Sequence, residues 1–394
     1  RYDRLCFDEK NEGEKMKDQS LTRAKNPLVR FVISNAVPIL FVILLIFAVP
    51  LSGFSTDYLL NEIITRLGRN SFLVISLLIP VMAGMGLNFG IVLGAMAGQI
   101  GLIFMLDWGV VGIPGIVLAM LIGTPIAILL GMLAGMILNR AKGREMVTSM
   151  ILGFFINGIY QLTILYGMGS VIPIASDKLL LPRGYGVRNA IDLISIRKAL
   201  DNMWSIEISG VSIPLGVFAI IAALCIFVFW FTRTKLGQDM RAVGQDMQVA
   251  ATAGINVDRT RTLSIIISTV LACYGQIIFL QNIGTINTYN SHDQVGTFAI
   301  AALLIGGASV AKATIPNVFI GITLFHLTFI VAPRAGKELL GQAQIGEFFR
   351  VFVSYGIIAI SLALYAWRRQ VEKETERRQA KAAIKAAVED GTGG

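Results

Sequence analysis

The sequence predicts an all-α, polytopic membrane protein, and its composition, its apolar runs and its glycine content each support that fold class. Of the 394 residues, 55% are hydrophobic and 15% are charged, whereas a soluble domain carries about 25% charged residues. Apolar runs of about 17–25 residues recur along the chain, and one such run suffices for a helix to cross a bilayer. The 40 glycines suit membrane helices, in which small residues allow close approach.

The apolar runs predict about ten transmembrane helices in one domain over residues 31–367. Their approximate positions are 31–50, 71–88, 89–106, 110–138, 146–168, 213–232, 262–282, 297–311, 313–332 and 347–367. If the tail at 1–30 is cytosolic, the inner segments hold 24 Lys and Arg and the outer segments hold 9. This excess predicts that the tail at 368–394 and the segment 233–261 are also cytosolic, and that 169–212 is an outer loop.

The outer loop 169–212 leaves two interpretations open. Pro173, Pro182, Gly184 and Gly186 interrupt it, which fits a solvated loop with a short helix. Long loops are also often functional, so the same segment is a candidate docking surface or cap for an external binding protein.

Residues 84–101 combine a helix break with polar side chains. Pro80, Gly84 and Gly86 interrupt the second predicted helix, and a broken membrane helix exposes backbone groups that only protein or water can satisfy. Packing alone would explain the glycines, but polar residues at a break favour a transport path. The path residues that we assign here are Asn88, Phe89 and Gln99.

Two ladders of small residues predict close helix packing. Gly90, Gly94 and Gly98 recur every four residues, so one face of their helix is bare backbone. The second ladder, along the fourth predicted helix, consists of Gly123, Ala127, Gly131 and Gly135.

Further polar residues lie inside later predicted helices. Asn157, Tyr160 and Gln161 share one helix face, and they either line the transport path or satisfy each other through interhelical hydrogen bonds. Gln276 is a further candidate for the path. His292 follows near the outer surface, where a lone histidine is expected to be a hydrogen-bonding loop residue.

Residues 234–255 form a polar segment between two apolar runs. It contains several small residues and ends at Gly254, which suits a helix that lies on the inner membrane surface and carries force from a soluble partner. It resembles the ATPase-coupling segment of ABC import permeases of the simple-sugar, nucleoside and branched-chain amino acid group. The matching pattern is Gly237, Arg241 to Gly244, Ala250-Ala251 and Gly254-Ile255.

Shorter stretches extend the resemblance over most of residues 70–365. Gly86 to Gly90 is similar to the family's Asn-Ile-Gly segment, Glu145 to Thr148 to its Glu-Val-(Val/Ile)-(Ser/Thr) entry, and Gly306 to Ser309 to its Gly-Gly-(Ala/Thr)-Ser turn. The chain departs from the family at Gly153 to Asn157, where a Leu-Asn-Tyr triplet is usual.

The resemblance implies an ABC importer permease in the bacterial plasma (inner) membrane. Its partners would be an ABC ATPase that binds ATP-Mg, a second permease (the same or a different chain), an external solute-binding lipoprotein and the bilayer. It implies no cofactor or catalytic residue in this chain. No Cys/His spacing of a metal site is visible in the sequence, and the basic residues border the predicted helices instead of forming one patch, so we expect no metal and no nucleic acid. The implied ATPase-coupling residues are Gly237, Asp239, Arg241, Ala242, Gly244, Asp246, Ala250, Ala251 and Gly254.

Missing motifs separate the candidate functions. The chain has no Gly-x4-Gly-Lys-(Ser/Thr) phosphate loop and no His-Glu-x-x-His or Ser/His/Asp pattern. Ion-coupled carriers usually bury acids within their helices, and Asp107 and Glu145 lie only at helix ends. We therefore expect a permease for a simple sugar, nucleoside or similar uncharged polar solute. The alternatives are an ion-coupled secondary transporter and a membrane enzyme or scaffold.

Overall fold

The computed structural model of the chain describes residues 35–208, 210–342, 344–349, 351–352, 355–360 and 363. The predicted tails 1–30 and 368–394 lie outside these residues, as do the end of the tenth predicted helix and part of its middle.

The described part is mainly helical, as predicted. The helices are α1 (Ala36–Ser52), α2 (Thr56–Ser76), α3 (Leu78–Met82), α4 (Ile91–Asp107), α5 (Gly112–Arg140), α6 (Glu145–Leu162), α7 (Leu215–Phe231), α8 (Lys235–Gln245), α9 (Met247–Thr252), α10 (Val257–Ile283), α11 (Ser291–Ile305) and α12 (Ile315–Leu340). A π-helical turn, Thr163–Gly167, extends α6.

Four short strands lie at the end of the molecule where α10 finishes. They are β1 (Ala190–Asp192), β2 (Ser205–Ile208), β3 (Val211–Pro214) and β4 (Thr285–Asn287). β1 pairs with β4 in antiparallel register, with Ile191 opposite Ile286, and β2 pairs with β3 as a hairpin.

The polytopic class is confirmed, although ten crossings are not. Within the described residues, five helical segments are long and apolar enough to cross a membrane, and a sixth is added if α7 and α8 count as one bent span. The helices α1 and α4 have 17 residues and α11 has 15. At 1.5 Å per residue, 15 residues reach only about 22 Å, short of the hydrocarbon core of roughly 30 Å.

The start of α2 differs most from the prediction. The helix begins at Thr56, whereas the sequence prediction leaves residues 51–70 outside the first two predicted helices, 31–50 and 71–88. Its first half is rich in charge, including an Arg66–Glu62 ion pair of 3.1 Å one turn apart, and this lowers the mean hydropathy that marks a membrane helix. Arg69 is accommodated because its guanidinium lies over the Phe279 ring, 5.4 Å from the centroid.

The core is built around α10, which packs against α2, α4 and α5. The predicted glycine ladders lie at these contacts. A Cβ atom on Gly94 would collide with the carbonyl oxygen of Thr269, and one on Gly123 would lie 2.6 Å from Cys273 Sγ. Gly90 differs, because a Cβ there would instead meet Asn88 Oδ1 at 2.8 Å.

The segment 169–212 is anchored on the helices by a few buried residues, although more than half of its described residues are exposed. Val187, Leu193 and Ile196 are buried, and the backbone N–H of Lys198 donates to the carbonyl of Gln281 over 2.9 Å. Among its described residues it contains strands and turns where one interpretation expected a short helix. The segment therefore forms a cap over the end of α10.

Substituting Gly94 by alanine tests the packing at this core. The added methyl group meets backbone on α10, which cannot rotate away, so the variant should lose about 1–3 kcal/mol of stability. The measurement is the midpoint of thermal unfolding in detergent. Gly158→Ala is the matched control, because a Cβ at Gly158 has no atom within 4 Å; equal midpoints for the two variants would contradict the packing.

Candidate functional site

The predicted coupling segment, residues 234–255, consists mainly of two short helices, α8 and α9. The axis of α8 is bent by 72° from that of α7. Thr234 caps α8, since its hydroxyl accepts from the backbone N–H of Gly237 over 3.3 Å. The predicted single helix is in fact two, because the chain leaves helical geometry at Asp246.

Asp246 explains this break. Its carboxylate Oδ1 accepts from the backbone N–H groups of Gln248 (2.7 Å) and Val249 (3.0 Å). A side chain that caps the next helix in this way stops the preceding helix from continuing. The residue that was predicted to couple to the ATPase is thus also the N-cap of α9.

The two coupling helices have a buried face and an exposed face. Gly237, Met240 and Val243 of α8 and Ala250 of α9 are buried. The predicted coupling residues on the other face are more accessible: Asp239 and Ala242 are half-buried, and the exposed ones are Arg241, Gly244, Asp246, Ala251 and Gly254. Gly254 has φ +84°, a conformation that favours glycine and that ends the segment as predicted.

Gly244, although exposed, contacts the predicted helix break directly through its backbone. A Cβ on Gly84 would lie 2.8 Å from the Cα of Gly244, and a Cβ on Gly244 would collide with the Met82 carbonyl oxygen. After α3 ends at Met82, Gly84 and Gly86 take φ values of +71° and +70°. Backbone of the coupling segment therefore rests against backbone of the interruption.

A buried polar network lies farther along the molecule, where the two short helices α4 and α11 meet α6. Gln99 of α4 accepts from the Tyr160 hydroxyl of α6 over 2.8 Å. The same Gln99 Oε1 lies 3.0 Å from His292 Nδ1, and His292 Nε2 lies 2.8 Å from Asn157 Oδ1. Gln99 and His292 are both fully buried, so these contacts replace water for groups that need partners.

The network continues towards the cap region. Gln161 donates to the carbonyl of Tyr289 over 3.2 Å, and Asn157 donates to Asp293 Oδ1 over 3.1 Å. The Tyr289 hydroxyl donates to the carbonyl of Val187 over 2.8 Å. Burial raises the pKa of Tyr289, partly offset by Arg183, so the phenol remains a donor.

The structure thus brings together four of the predicted path residues and separates the others. Gln99, Asn157, Tyr160 and Gln161 lie in one network. Phe89 lies at the interruption, where its N–H donates to Ser149 of α6 over 3.2 Å. Asn88 and Gln276 need separate description.

Asn88 and Gln276 are buried outside the network. Asn88 holds its own turn, since its Oδ1 accepts from the N–H of Gly90 over 2.9 Å. Gln276 makes a long contact of 3.5 Å to the carbonyl of Ser291. Asn88 Nδ2, Gln99 Nε2 and Gln276 Oε1 have no hydrogen-bond partner among the described residues, so each of these atoms has free hydrogen-bonding capacity.

His292 is the residue that sequence reasoning missed. It is fully buried at the start of α11, where a loop residue near the surface was predicted. Its ring stands edge-on to Tyr160, with 4.9 Å between centroids. The available signal was its position one turn before an apolar run, which places it on a helix rather than in a loop.

Two cavities flank these features. One of about 240 Å³ is lined by Asn70, Asn287, Asn290, Gln294 and Phe298, among others, with no Asp, Glu, Lys or Arg in its lining. A second of about 600 Å³ lies beside the coupling segment, with Arg241, Gly244 and Lys312 in its wall. The first cavity suits an uncharged polar molecule, and the second is positively charged.

Comparison with known proteins identifies the family. The model of the branched-chain amino acid transport system permease component family matches residues 59–360. The chain belongs to this family. The family match and the apolar helices make it a multi-pass membrane protein and a transport subunit.

The curated relatives are permeases for several solutes. The chain is 26% identical over 174 residues to the nucleoside ABC transporter permease protein NupB of Lactococcus lactis, and the matched region covers 43% of this chain and 45% of the relative. It is 35% identical over 123 residues (31% and 34%) to the autoinducer 2 import system permease protein LsrC of Enterobacter sp.. It is 28% identical over 153 residues (39% and 38%) to the xylose transport system permease protein XylH of Haemophilus influenzae.

These matches span between about a third and a half of each relative's length. No solved structure is significantly similar to the chain.

Substituting Tyr160 by phenylalanine tests the network. Loss of the hydroxyl removes one hydrogen bond to Gln99. We expect the free energy of unfolding to fall by about 0.5–1.5 kcal/mol, and by the lower value if the Gln99 amide finds another partner. Thermal unfolding in detergent measures the loss. Tyr58→Phe is the control, because Tyr58 is an exposed residue that stacks on Phe54; if the control is destabilised equally, the network does not hold Tyr160.

Proposed function

We propose that this chain is the permease subunit of an ATP-driven ABC importer that moves an uncharged polar solute, such as a simple sugar or a nucleoside, into the cell. The observation that carries this proposal is the backbone contact between Gly244 and the interruption at Met82 and Gly84. It joins a solvent-exposed polar segment to the start of a buried polar route.

The exposed face of the coupling segment is the ATPase docking surface. Arg241, Gln248 and Val249 project from it, and Val249 is 64% exposed. The ATPase holds ATP-Mg, and its closure pushes this surface towards the membrane helices. Because glycine packs against backbone at Gly244, the push reaches the turn after α3 without a flexible side chain between them.

The turn passes this displacement to the polar network. Phe89 follows the turn and its N–H contacts Ser149 on α6, and α6 carries Asn157, Tyr160 and Gln161. A shift of α6 relative to α4 would open the contact between Tyr160 and Gln99. The solute then crosses along amide and phenol groups, which bind hydroxyls reversibly.

The solute class follows from the chemistry of the route. The network and the 240 Å³ cavity offer amides, hydroxyls and imidazole, and these groups suit a sugar or a nucleoside better than an ion. The names of NupB and XylH, which specify a nucleoside and xylose, support the same class.

The remaining parts of the assembly follow the family. A second permease, identical or different, faces α6, whose Phe154 and Phe155 are 69% and 65% exposed. Both termini and the coupling segment face the cytosol of a bacterial plasma membrane. An external solute-binding lipoprotein docks on the cap 169–212.

Reconstitution tests the function. The chain is copurified with its ATPase and binding protein, inserted into vesicles, and supplied with radiolabelled xylose or uridine. We expect accumulation that needs ATP-Mg and the ATPase, and none with the permease alone. Accumulation by the permease alone under a proton or sodium gradient would overturn the proposal, as would ATP-independent uptake by the complex.

One observation favours an ion-coupled carrier as the second candidate. His292 is buried and its Nε2 lies 3.5 Å from Asp293 Oδ1, so a titratable pair lies beside the network. In a carrier of this kind, a protonophore would abolish uptake while ATP was still present. In the proposed importer, uptake by the complex survives the protonophore.

Asp246 separates a capping role from a charge role in ATPase docking. Asp246→Ala removes the carboxylate that accepts from the first N–H groups of α9 and so destabilises this helix. It should weaken ATPase binding roughly fivefold, equivalent to about 1 kcal/mol. Asp246→Asn keeps an acceptor oxygen and should bind nearly normally. The measurement is ATPase affinity for the permease in detergent. Equal weakening by both variants would mean that the carboxylate charge matters instead.

A further inference from the structure

A buried ion pair joins the ends of two helices beside the coupling segment. Arg261 lies in the second turn of α10 and is fully buried, and its Nη2 donates to Oε1 of Glu145 over 2.5 Å. Glu145 is the first residue of α6, where the helix dipole also favours a negative charge. Because both side chains are almost completely buried, water cannot solvate either charge, and each charge is stabilised by its partner.

The same guanidinium reaches the coupling segment. Arg261 Nη1 lies 3.2 Å from the sulfur of Met247, and Met247 is the first residue of α9, directly after the Asp246 cap. Arg261 therefore touches α9 on one side and α6 on the other. Its Nε has no hydrogen-bond partner among the described residues. The guanidinium is therefore held tightly by Glu145 and only weakly by the Met247 sulfur, and it can shift on the Met247 side.

The Arg261–Glu145 pair and the Gly244 contact would act on different parts of the molecule. Gly244 acts on the turn after α3, whereas Glu145 is the end of α6 itself, the helix that carries Asn157, Tyr160 and Gln161. On its far side α6 exposes Phe154 and Phe155, so the described part of the chain does not cover that face. A helix held on one side only can shift when its end is pulled.

We propose that Arg261 and Glu145 are a positioning pair that transmits the displacement of α9 to α6, and so couples ATP hydrolysis to the opening of the polar network. This inference rests on the proposed function. When α9 is pushed, Met247 displaces the guanidinium, and the short charged contact obliges Glu145 and the start of α6 to follow.

The chain offers a matched control in a neighbouring exposed pair. Lys142 Nζ lies 2.7 Å from Asp258 Oδ1, with side chains 47% and 63% exposed. This pair joins the turn between α5 and α6, three residues before Glu145, to the start of α10. Because exposed ion pairs contribute little, Lys142→Met removes a salt bridge at the same place without affecting the proposed link.

The test measures ATP hydrolysed per solute accumulated in the reconstituted complex, with xylose or uridine as the probe, whichever the wild type takes up. For Glu145→Gln we expect normal ATPase binding and hydrolysis, with uptake lowered about tenfold, so that the ratio rises about tenfold. For Lys142→Met the ratio should change less than about twofold. An unchanged ratio in a Glu145→Gln complex of normal ATPase activity would overturn the proposal.

A double variant keeps the test decisive if the single variant fails to fold. Glu145→Met with Arg261→Met removes both charges together, and apolar replacements of a buried pair are often well tolerated. We expect a folded complex that hydrolyses ATP with a similarly raised ratio, and a wild-type ratio in this complex would overturn the proposal. Failure of the wild type to take up solute with ATP would instead contradict the proposed function.

Discussion

The structure depends on backbone approaching backbone at glycine. At Gly94 and Gly131 this lets α4 and α5 lie directly against the backbone of α10, and at Gly244 it lets the coupling segment lie against the interruption after Met82. In lipid, apolar side chains gain little by leaving the membrane for another helix, so close van der Waals contact provides most of the attraction. The same contacts are stiff, because no side chain lies between the two backbones to absorb a displacement.

Polar groups inside the molecule are arranged by a different rule. Each buried amide or phenol needs a partner, and the network through Gln99, Tyr160, Asn157 and His292 supplies partners from three different helices. In the proposed importer, a network shared between helices would open when one helix moves, and the groups that it frees would bind the solute. Hydrogen bonds within a single helix, such as Thr269 to the carbonyl of Ile265, offer no such change.

The sequence predicted those features that depend on local pattern. Glycines four residues apart predicted the packing at Gly94 and Gly98, and the glycines at 84 and 86 predicted the interruption. The features that it missed depend on contacts between distant segments. Arg69, in the second half of α2, is accommodated because its guanidinium contacts Phe279 and Asn282, more than two hundred positions away. His292 is buried because α4 and α6 close over it.

The segment 234–255 shows both outcomes within a few residues. Its polar, small-residue composition predicted an amphipathic surface helix, but the break at Asp246 was missed because an aspartate inside such a pattern reads equally well as an exposed charge. The break has a mechanical consequence. A single rigid helix would move as one body. Two helices separated at Asp246, the N-cap of α9, can move independently and contact two different places. The first, α8, bears on the turn after α3 through Gly244, and the second, α9, bears on Arg261 through Met247. In the proposed importer, one docking event on the exposed face would then move the interruption and the start of α6 by different amounts. Such unequal movement would open the network shared between α4 and α6.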